Sequence, residues 1–169
     1  MTIEQAIKTG IEYELLVRKV YSAAAKKFSD PVARRVLGVL ADEEDRHIQY
    51  LESRLDEWQR TGKVTAERLE TAIPSKKAID ASVKKLSKKM AEQDFSVELE
   101  MLKKALALEI EATSFFKQMV GQLEAEEQKL FARFVEIEQG HEAIVQAEMD
   151  AVSGLGFWFD FAEFKLEGA

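Results

Sequence analysis

Two short motifs use both histidines of the chain and place a glutamate three positions before each of them. The motifs are Glu44-Asp45-Arg46-His47 and Glu138-Gln139-Gly140-His141. Another glutamate precedes each motif by about thirty residues, Glu14 in the first case and Glu109 in the second. The second set of three therefore repeats the first at an offset of about 95 residues. Glutamate oxygens and imidazole nitrogens are ligands that suit iron, manganese or zinc, so this pattern indicates metal binding.

The elements that carry these residues are predicted to be four long helices. In each of them apolar residues recur at steps of four and three, which is typical of the buried seam of a packed helix. All six candidate ligands fall on these seams, and none falls on a polar face. The seams comprise Ile3, Ile7, Gly10, Glu14, Val17, Tyr21, Ala24 and Phe28; Leu37, Leu40, Glu44, His47, Leu51, Leu55 and Trp58; Phe95, Leu99, Leu102, Leu106, Glu109, Thr113, Phe116, Val120 and Leu123; and Phe131, Phe134, Glu138, His141, Val145, Glu148 and Val152.

Local signals divide the chain into two helix pairs. Asp30 is a plausible N-cap with Pro31 at the first helical position, and Gly62 is predicted to end the second helix. Residues 61–94 are predicted to form a crossover that includes a short helix with Ile79, Val83, Leu86 and Met90. Gly154 and Gly156 end the fourth helix. The sequence thus predicts an all-α, antiparallel four-helix bundle with one long crossover over residues 1–154, followed by an aromatic C-terminal tail over residues 155–169.

Helical geometry brings the candidate ligands to a common centre. Residues three apart are neighbours on a helix, so each Glu-x-x-His presents both side chains on one face. Glu12 and Glu111 lie two residues from Glu14 and Glu109, off that face, and we reject them as ligands. A glutamate from each of two helices plus Glu-x-x-His from each of the other two is the ligand pattern of ferritin-like di-metal carboxylate proteins. We expect Glu14, Glu44 and His47 to favour one metal and Glu109, Glu138 and His141 the other, with Glu44 and Glu138 as bridges.

Charge favours two cations over a centre without metal. Ionised carboxylates that converge in an apolar core cost several kcal/mol each without partners, whereas two divalent cations balance four carboxylates. Without metal we expect these carboxyl groups to have raised pKa values. A buried polar cluster with two ordinary core histidines is the alternative. Tyr21 is either a contact of the ligands or a plain core aromatic, and Glu148 is either buried near the end of the bundle or close to the centre.

Composition limits the function classes. An apolar content of 46% and a charged content of 33% are typical of a globular protein, and the absence of cysteine excludes disulfides and thiolate metal sites. A net charge of −7 gives no support for nucleic-acid binding. No signal peptide and no membrane-spanning stretch is evident, so we expect a cytoplasmic protein.

The chain resembles the rubrerythrin-type branch of the ferritin-like superfamily. The matching pieces are Glu14 with Tyr21, the segment Ala41–His47, Glu109 with Phe116, and the segment Glu138–His141. The resemblance implies a non-haem centre of two iron ions and activities such as peroxide reduction or ferrous-iron oxidation. Two features depart from the family. Full rubrerythrins carry a rubredoxin-like Cys₄ domain that this cysteine-free chain has no residues to build, and Ala112 stands where they have a further glutamate that takes part in redox-linked ligand exchange.

We therefore expect a di-iron oxidoreductase that reduces peroxide or O₂ with electrons from a separate donor protein. A ferroxidase-like store or a sensor without catalytic peroxide turnover is the second hypothesis, and a purely structural bundle is the third. A homodimer is expected, and manganese or zinc are the other candidate metals. The aromatic tail is predicted to pack against the bundle or a dimer partner, with a role as a docking peptide as the alternative. No membrane binding is expected from it.

Overall fold

The computed structural model describes residues 1–85 and 96–154, with no side-chain description for residues 83–85. Within these ranges the chain is all-α. Four long helices form the bundle: α1 (Ile3–Lys27), α2 (Pro31–Thr61), α4 (Ser96–Gln122) and α5 (Ala125–Val152). A shorter helix, α3 (Lys76–Lys85), belongs to the crossover and packs against α5. The predicted four-helix bundle with one long crossover is confirmed.

The ends of the helices follow the local signals in the sequence. Asp30 accepts hydrogen bonds from the backbone N–H groups of Val32 and Ala33 at 2.8 and 3.0 Å, which confirms it as the N-cap of α2. Gly62 ends that helix in the left-handed region at φ 67°, where a residue with a Cβ would be strained. The turn from α1 to α2 is short, so the two helices lie antiparallel.

Contacts across the bundle give the orientation of α1 relative to α4. Gly10 lies against Leu51 and Phe116 at one level, and Tyr21 contacts Glu109 at a level further along α1. The numbering of α1 therefore rises while that of α4 falls, and the two helices are antiparallel. Helices α1 and α2 form one extensively packed pair, and α4 and α5 form the other.

The core consists of two apolar clusters with the acidic and imidazole side chains between them. One cluster includes Val17, Tyr21 and Phe28 of α1, and the other includes Ile7 of α1 and Phe131 of α5. The seam positions are buried as predicted, except that several are only partly buried against these clusters. The partly buried seam residues are Leu55, Trp58, Leu99, Leu106 and Val120.

Residues 62–75 of the crossover are held along the bundle by polar contacts from α2 and α5. The Tyr50 hydroxyl donates to the Glu67 carbonyl at 2.6 Å, and the Arg54 guanidinium donates to the Thr65 carbonyl at 3.1 Å. Arg133 of α5 donates to the Leu69 carbonyl at 3.0 Å. The predicted short crossover helix is present as α3, with Ile79 buried. Leu86, Met90, Phe95, Gly156 and the tail 155–169 lie outside the described residues.

Candidate metal centre

The structure brings all six predicted ligands together at mid-height in the bundle. Each has an exposed fraction of 0 or 1%, which is rare for ionisable side chains unless they have partners. Glu12 and Glu111, which the helical geometry excluded, are exposed. Glu148 is fully buried on α5 but belongs to none of the possible metal-binding groups among the described residues. The six ligands are Glu14, Glu44, His47, Glu109, Glu138 and His141.

The ligands form two groups of four that share two members, and a third group joins both histidines to Glu43. Glu14, Glu44, His47 and Glu138 make one group, and Glu44, Glu109, Glu138 and His141 make the other. In each group the ligand atoms lie within 4.8 Å of one another. Glu44 and Glu138 therefore stand where the sequence predicted the bridging carboxylates. These Glu and His groups could hold metal ions.

Both imidazoles direct Nδ1 toward the carboxylates. The Nδ1 atom of His47 lies 2.9 Å from Glu14 Oε2 and 3.3 Å from Glu138 Oε1. The Nδ1 atom of His141 lies 2.8 Å from Glu44 Oε1 and 3.1 Å from Glu138 Oε2. The two rings are stacked, with centroids 5.4 Å apart and planes within 7° of each other. The two nearly parallel imidazoles thus share Glu44 and Glu138 as neighbours, while Glu14 lies beside His47 alone and Glu109 beside His141 alone.

Unpaired oxygen atoms support a fit to cations. Buried carboxylate oxygens of Glu14, Glu44, Glu109 and Glu138 have no hydrogen-bond partner. A buried polar atom without a partner costs free energy, and native proteins satisfy most such atoms. A donor set of carboxylate oxygens and imidazole nitrogens is the set that divalent iron, manganese and zinc accept.

The protonation states without metal differ between the carboxylates. Burial raises the pKa of Glu14 well above its usual range, and the charges of Glu138 and Glu44 raise it further. Burial also raises the pKa of Glu109, to about 8, although the contact with His141 opposes this increase. Burial acts in the same direction on Glu44, but the neighbouring Glu14 carboxyl group and the charges of both histidines outweigh it, so its pKa is lowered.

The pKa of Glu138 is lowered like that of Glu44. Burial raises the pKa of Glu138, but the charges of His141 and His47 bring it below its usual value. Burial alone lowers the pKa of both imidazoles, but the charges of Glu44 and Glu138 raise it well above the usual range. The prediction that all four carboxyl groups have raised pKa values is therefore wrong for Glu44 and Glu138. It considered repulsion between carboxylates and left out the positive charge that the imidazoles acquire beside them.

Tyr21 is a contact of the ligand set. Its hydroxyl donates a hydrogen bond to Glu109 Oε1, and the side chain is fully buried. Burial and the charges of Glu109 and Glu44 raise the pKa of the Tyr21 hydroxyl well above its usual range, so it stays protonated. Of the two interpretations open from the sequence, the structure supports a direct contact with a ligand.

Glu43 is a buried acidic residue that the sequence analysis did not single out. Its carboxylate accepts hydrogen bonds from Thr71 Oγ1 at 2.5 Å, from the Ala72 backbone N–H at 3.1 Å, and from Arg46. It lies on the Nε2 side of His47, with 4.0 Å between Oε2 and Nε2. The spacing Val36, Leu40, Glu43, His47 also alternates four and three, and this seam could have identified it.

Comparisons with known proteins give the fold and no function. No protein-family model matches the chain, and no curated protein matches it. Among solved structures, the chain is similar to a hypothetical protein from Pyrococcus furiosus, at 18% sequence identity and a TM-score of 0.64. The match covers 90% of this chain and 91% of that chain. At this identity the likeness shows a shared helical fold alone.

None of the helices described in residues 1–85 and 96–154 is both long and apolar enough to cross a membrane.

Proposed function

We propose that this protein is a non-haem di-iron oxidoreductase of rubrerythrin type, which reduces peroxide or O₂ with electrons from a separate protein. The observation that carries the proposal is the pair of buried ligand groups, each with one imidazole, that share Glu44 and Glu138. Carboxylates shared by both groups would hold two cations side by side. Two-metal sites of this kind hold their ions roughly 3.5–4 Å apart, a spacing that suits an oxygen pair from a substrate.

The formal charges favour two divalent cations. Four ionised glutamates balance them when both histidines are neutral, so the loaded centre carries no net charge in its apolar surroundings. Glu14 with His47, and Glu109 with His141, would hold one ion each, while Glu44 and Glu138 would contact both. When bound, iron supplies the electrons for the reduction and polarises the bound oxygen atoms; manganese and zinc fit the same donor set.

The surroundings of the ligands define what the protein itself contributes. The ligands are buried between the two apolar clusters, which shield them from solvent on both sides along the bundle. Tyr21 holds a proton donor at Glu109 Oε1, which fixes the orientation of that carboxylate. These 169 residues include no cysteine for a thiolate iron centre, and the proposal therefore assigns electron delivery to a separate donor protein. A homodimer and a cytoplasmic location stay predictions.

One observation favours a second function, stoichiometric oxidation and binding of ferrous iron without catalytic peroxide turnover. Ala112 lies buried one turn after Glu109 on the same helix, with an exposed fraction of 1%. The family resemblance expects a glutamate at this position, where it takes part in ligand exchange during turnover. A methyl group offers no ligand atom, so this exchange is closed to the protein at that position.

Anaerobic loading with ferrous iron followed by peroxide tests the proposal. We expect rapid oxidation of the iron by the wild-type protein and none above the uncatalysed rate in a Glu44→Ala, Glu138→Ala double variant. A Glu12→Ala, Glu111→Ala variant is the matched control, because both residues are exposed and lie two positions from ligands. Oxidation that is equally fast in all three proteins would contradict the redox function.

Repeated turnover separates the two candidate functions. With a reductant and an electron-transfer protein supplied, the oxidoreductase consumes many equivalents of peroxide per centre. A single oxidation of about two iron ions per chain, with no further peroxide consumed, would select the iron-binding function instead.

A further inference from the structure

The crossover passes directly over the two helices that carry the Glu-x-x-His motifs. On α2 it is held by Glu43, which accepts hydrogen bonds from the Thr71 hydroxyl and the Ala72 backbone N–H. On α5 it lies against Gly140, the residue between Glu138 and His141 in the second motif. A Cβ at Gly140 would come within 3.1 Å of both Ile73 Cγ2 and the Pro74 carbonyl oxygen. The backbone at residues 71–74 thus contacts both motifs.

The two motifs differ at the positions that meet the crossover. Glu43 and Arg46 flank Glu44 on α2, whereas the equivalent positions on α5 hold Ile137 and Gly140. Glu43, directly before the first motif, binds the crossover, and Gly140 in the second motif leaves room for the crossover. Two differences between the halves of the internal repeat thus lie where the crossover meets the bundle.

A cavity borders this segment of the crossover. It has a volume of about 850 Å³, and its walls include Thr71, Ile73 and Pro74 together with Arg133 and Ile137 of α5. The same three crossover residues also contact the helices that carry the ligands, Thr71 through Glu43 of α2 and the other two beside Gly140 of α5.

We propose that Glu43 is a positioning residue that closes the metal centre toward this cavity by clamping residues 71–74 of the crossover onto α2, and that the cavity is the route by which ions and small oxidants reach the centre. The proposal rests on the metal-binding part of the proposed function. Glu43 contacts no substrate in this scheme; it acts through Thr71 and Ala72. Opening the clamp exposes His47 on the side of its Nε2 atom. This atom lies 4.0 Å from Glu43 Oε2.

Two variants open the clamp from opposite sides. Thr71→Val removes the hydroxyl that donates to Glu43 and keeps a β-branched side chain of similar size. Gly140→Ala pushes the crossover away from α5, and it favours the helix because alanine is the better helix former. Glu70→Gln is the matched control, since Glu70 lies in the same segment but is exposed and paired only with Arg68 among the contacts observed there.

The first measurement is amide hydrogen exchange of residues 71–73 in the full-length protein without metal. Thr71→Val removes the hydrogen bond that its hydroxyl donates to Glu43 and the one that it accepts from the Ile73 N–H, and Gly140→Ala crowds Ile73 and Pro74. We expect exchange about tenfold faster in both variants, with wild-type rates in Glu70→Gln. The second is the rate at which a chelator removes Co(II), followed by the visible absorption of the ion. We expect removal to be about tenfold faster in both clamp variants, with unchanged Co(II) stoichiometry.

Glu43→Gln gives a readout that a purely structural role would not change. The amide keeps the shape of the side chain but loses its charge beside His47, so the Co(II) absorption spectrum should shift, while Thr71→Val should leave the spectrum unchanged. Wild-type exchange rates at residues 71–73 in both clamp variants would overturn the proposal even if the protein binds no metal. If exchange rises but Co(II) removal does not, the cavity is not the route and the proposal also fails. Absence of Co(II) binding by the wild-type protein would instead contradict the proposed function.

Discussion

Metal binding should release protons from this centre, and the number follows from the protonation states of the ligands. Near pH 6.5 without metal, Glu14 and Glu109 are protonated because their pKa values are raised, in the case of Glu109 to about 8. His47 and His141 are protonated as well. Ligands bind metal in their deprotonated forms. Two carboxyl and two imidazolium groups must therefore lose their protons, about four protons for two ions, or two per ion.

The magnitude is large enough to measure directly. With two protons released per ion, the apparent affinity for each ion should rise about 100-fold per pH unit, which corresponds to roughly 2.7 kcal/mol at 25 °C. The slope should decrease as the pH approaches 8, because Glu109 then begins to lose its proton without metal. Glu44 and Glu138 contribute nothing to the release, since their pKa values are lowered and they are already ionised.

The assay is a Zn(II) titration at pH 6.0, 6.5, 7.0 and 8.0 against a competing chelator of known affinity. Proton release is measured in parallel by calorimetry in buffers with different ionisation enthalpies. A Glu109→Gln variant should release about one proton fewer per pair of ions at pH 6.5, because the amide cannot ionise. Release of less than one proton per ion at pH 6.5 in the wild type, or an affinity independent of pH, would refute the assignment of these protonation states.

Three further predictions concern the ligands and the fold. His47→Ala or His141→Ala should each remove one ion preferentially, while Glu44→Ala weakens both; equal metal content by elemental analysis in all three would contradict the shared-ligand arrangement. Without metal, raised pKa values mean that stability is present below the unfolded-state value of about 4.5 for Glu109 and is lost as the pH rises through about 8, so melting temperatures should fall between pH 5 and 8 and metal should restore them. Glu109→Gln should remove part of this fall, and the assignment fails if the variant melts with the wild-type pH profile. Asp30→Ala should cost about 1 kcal/mol in chemical denaturation through loss of the α2 N-cap and leave metal content unchanged; a loss of metal would show that the cap does more than end the helix.

The sequence predicted the helices and the ligands because both depend on local spacing. Steps of four and three residues identify a buried face, and Asp30 and Gly62 mark ends by backbone chemistry that needs no tertiary contact. Glu44 and His47 could be assigned to the centre because a polar residue on an apolar seam is unusual. These predictions use only distances along the chain, which helical geometry converts into distances in space.

The remaining features depend on contacts between distant parts of the chain. The path of residues 62–75 follows from side chains such as Arg54 that bind backbone carbonyls, and such contacts have no periodic signal. Spacing alone could have placed Glu43 on a seam of α2, but its hydrogen bonds from Thr71 and Ala72 depend on the path of the crossover and have no signal in the sequence. The pKa shifts of Glu14 and Glu44 have opposite directions because the two carboxyl groups lie at different distances from the imidazoles. These distances differ by only a few ångströms, which spacing along the sequence does not give.

The two ligand groups have a consequence for how the molecule is joined together. The first group consists of Glu14, Glu44 and His47 from the N-terminal hairpin and Glu138 from the C-terminal hairpin. The second group consists of Glu109, Glu138 and His141 from the C-terminal hairpin and Glu44 from the N-terminal hairpin. Neither hairpin alone supplies a complete set of ligands. Metal ions bound here would act as two cross-links between halves that otherwise cohere through apolar contacts and the crossover. The two hairpins thus relate to each other as two subunits of a dimer would, except that the chain joins them. Cations bound between the hairpins would hold the two halves of the protein together.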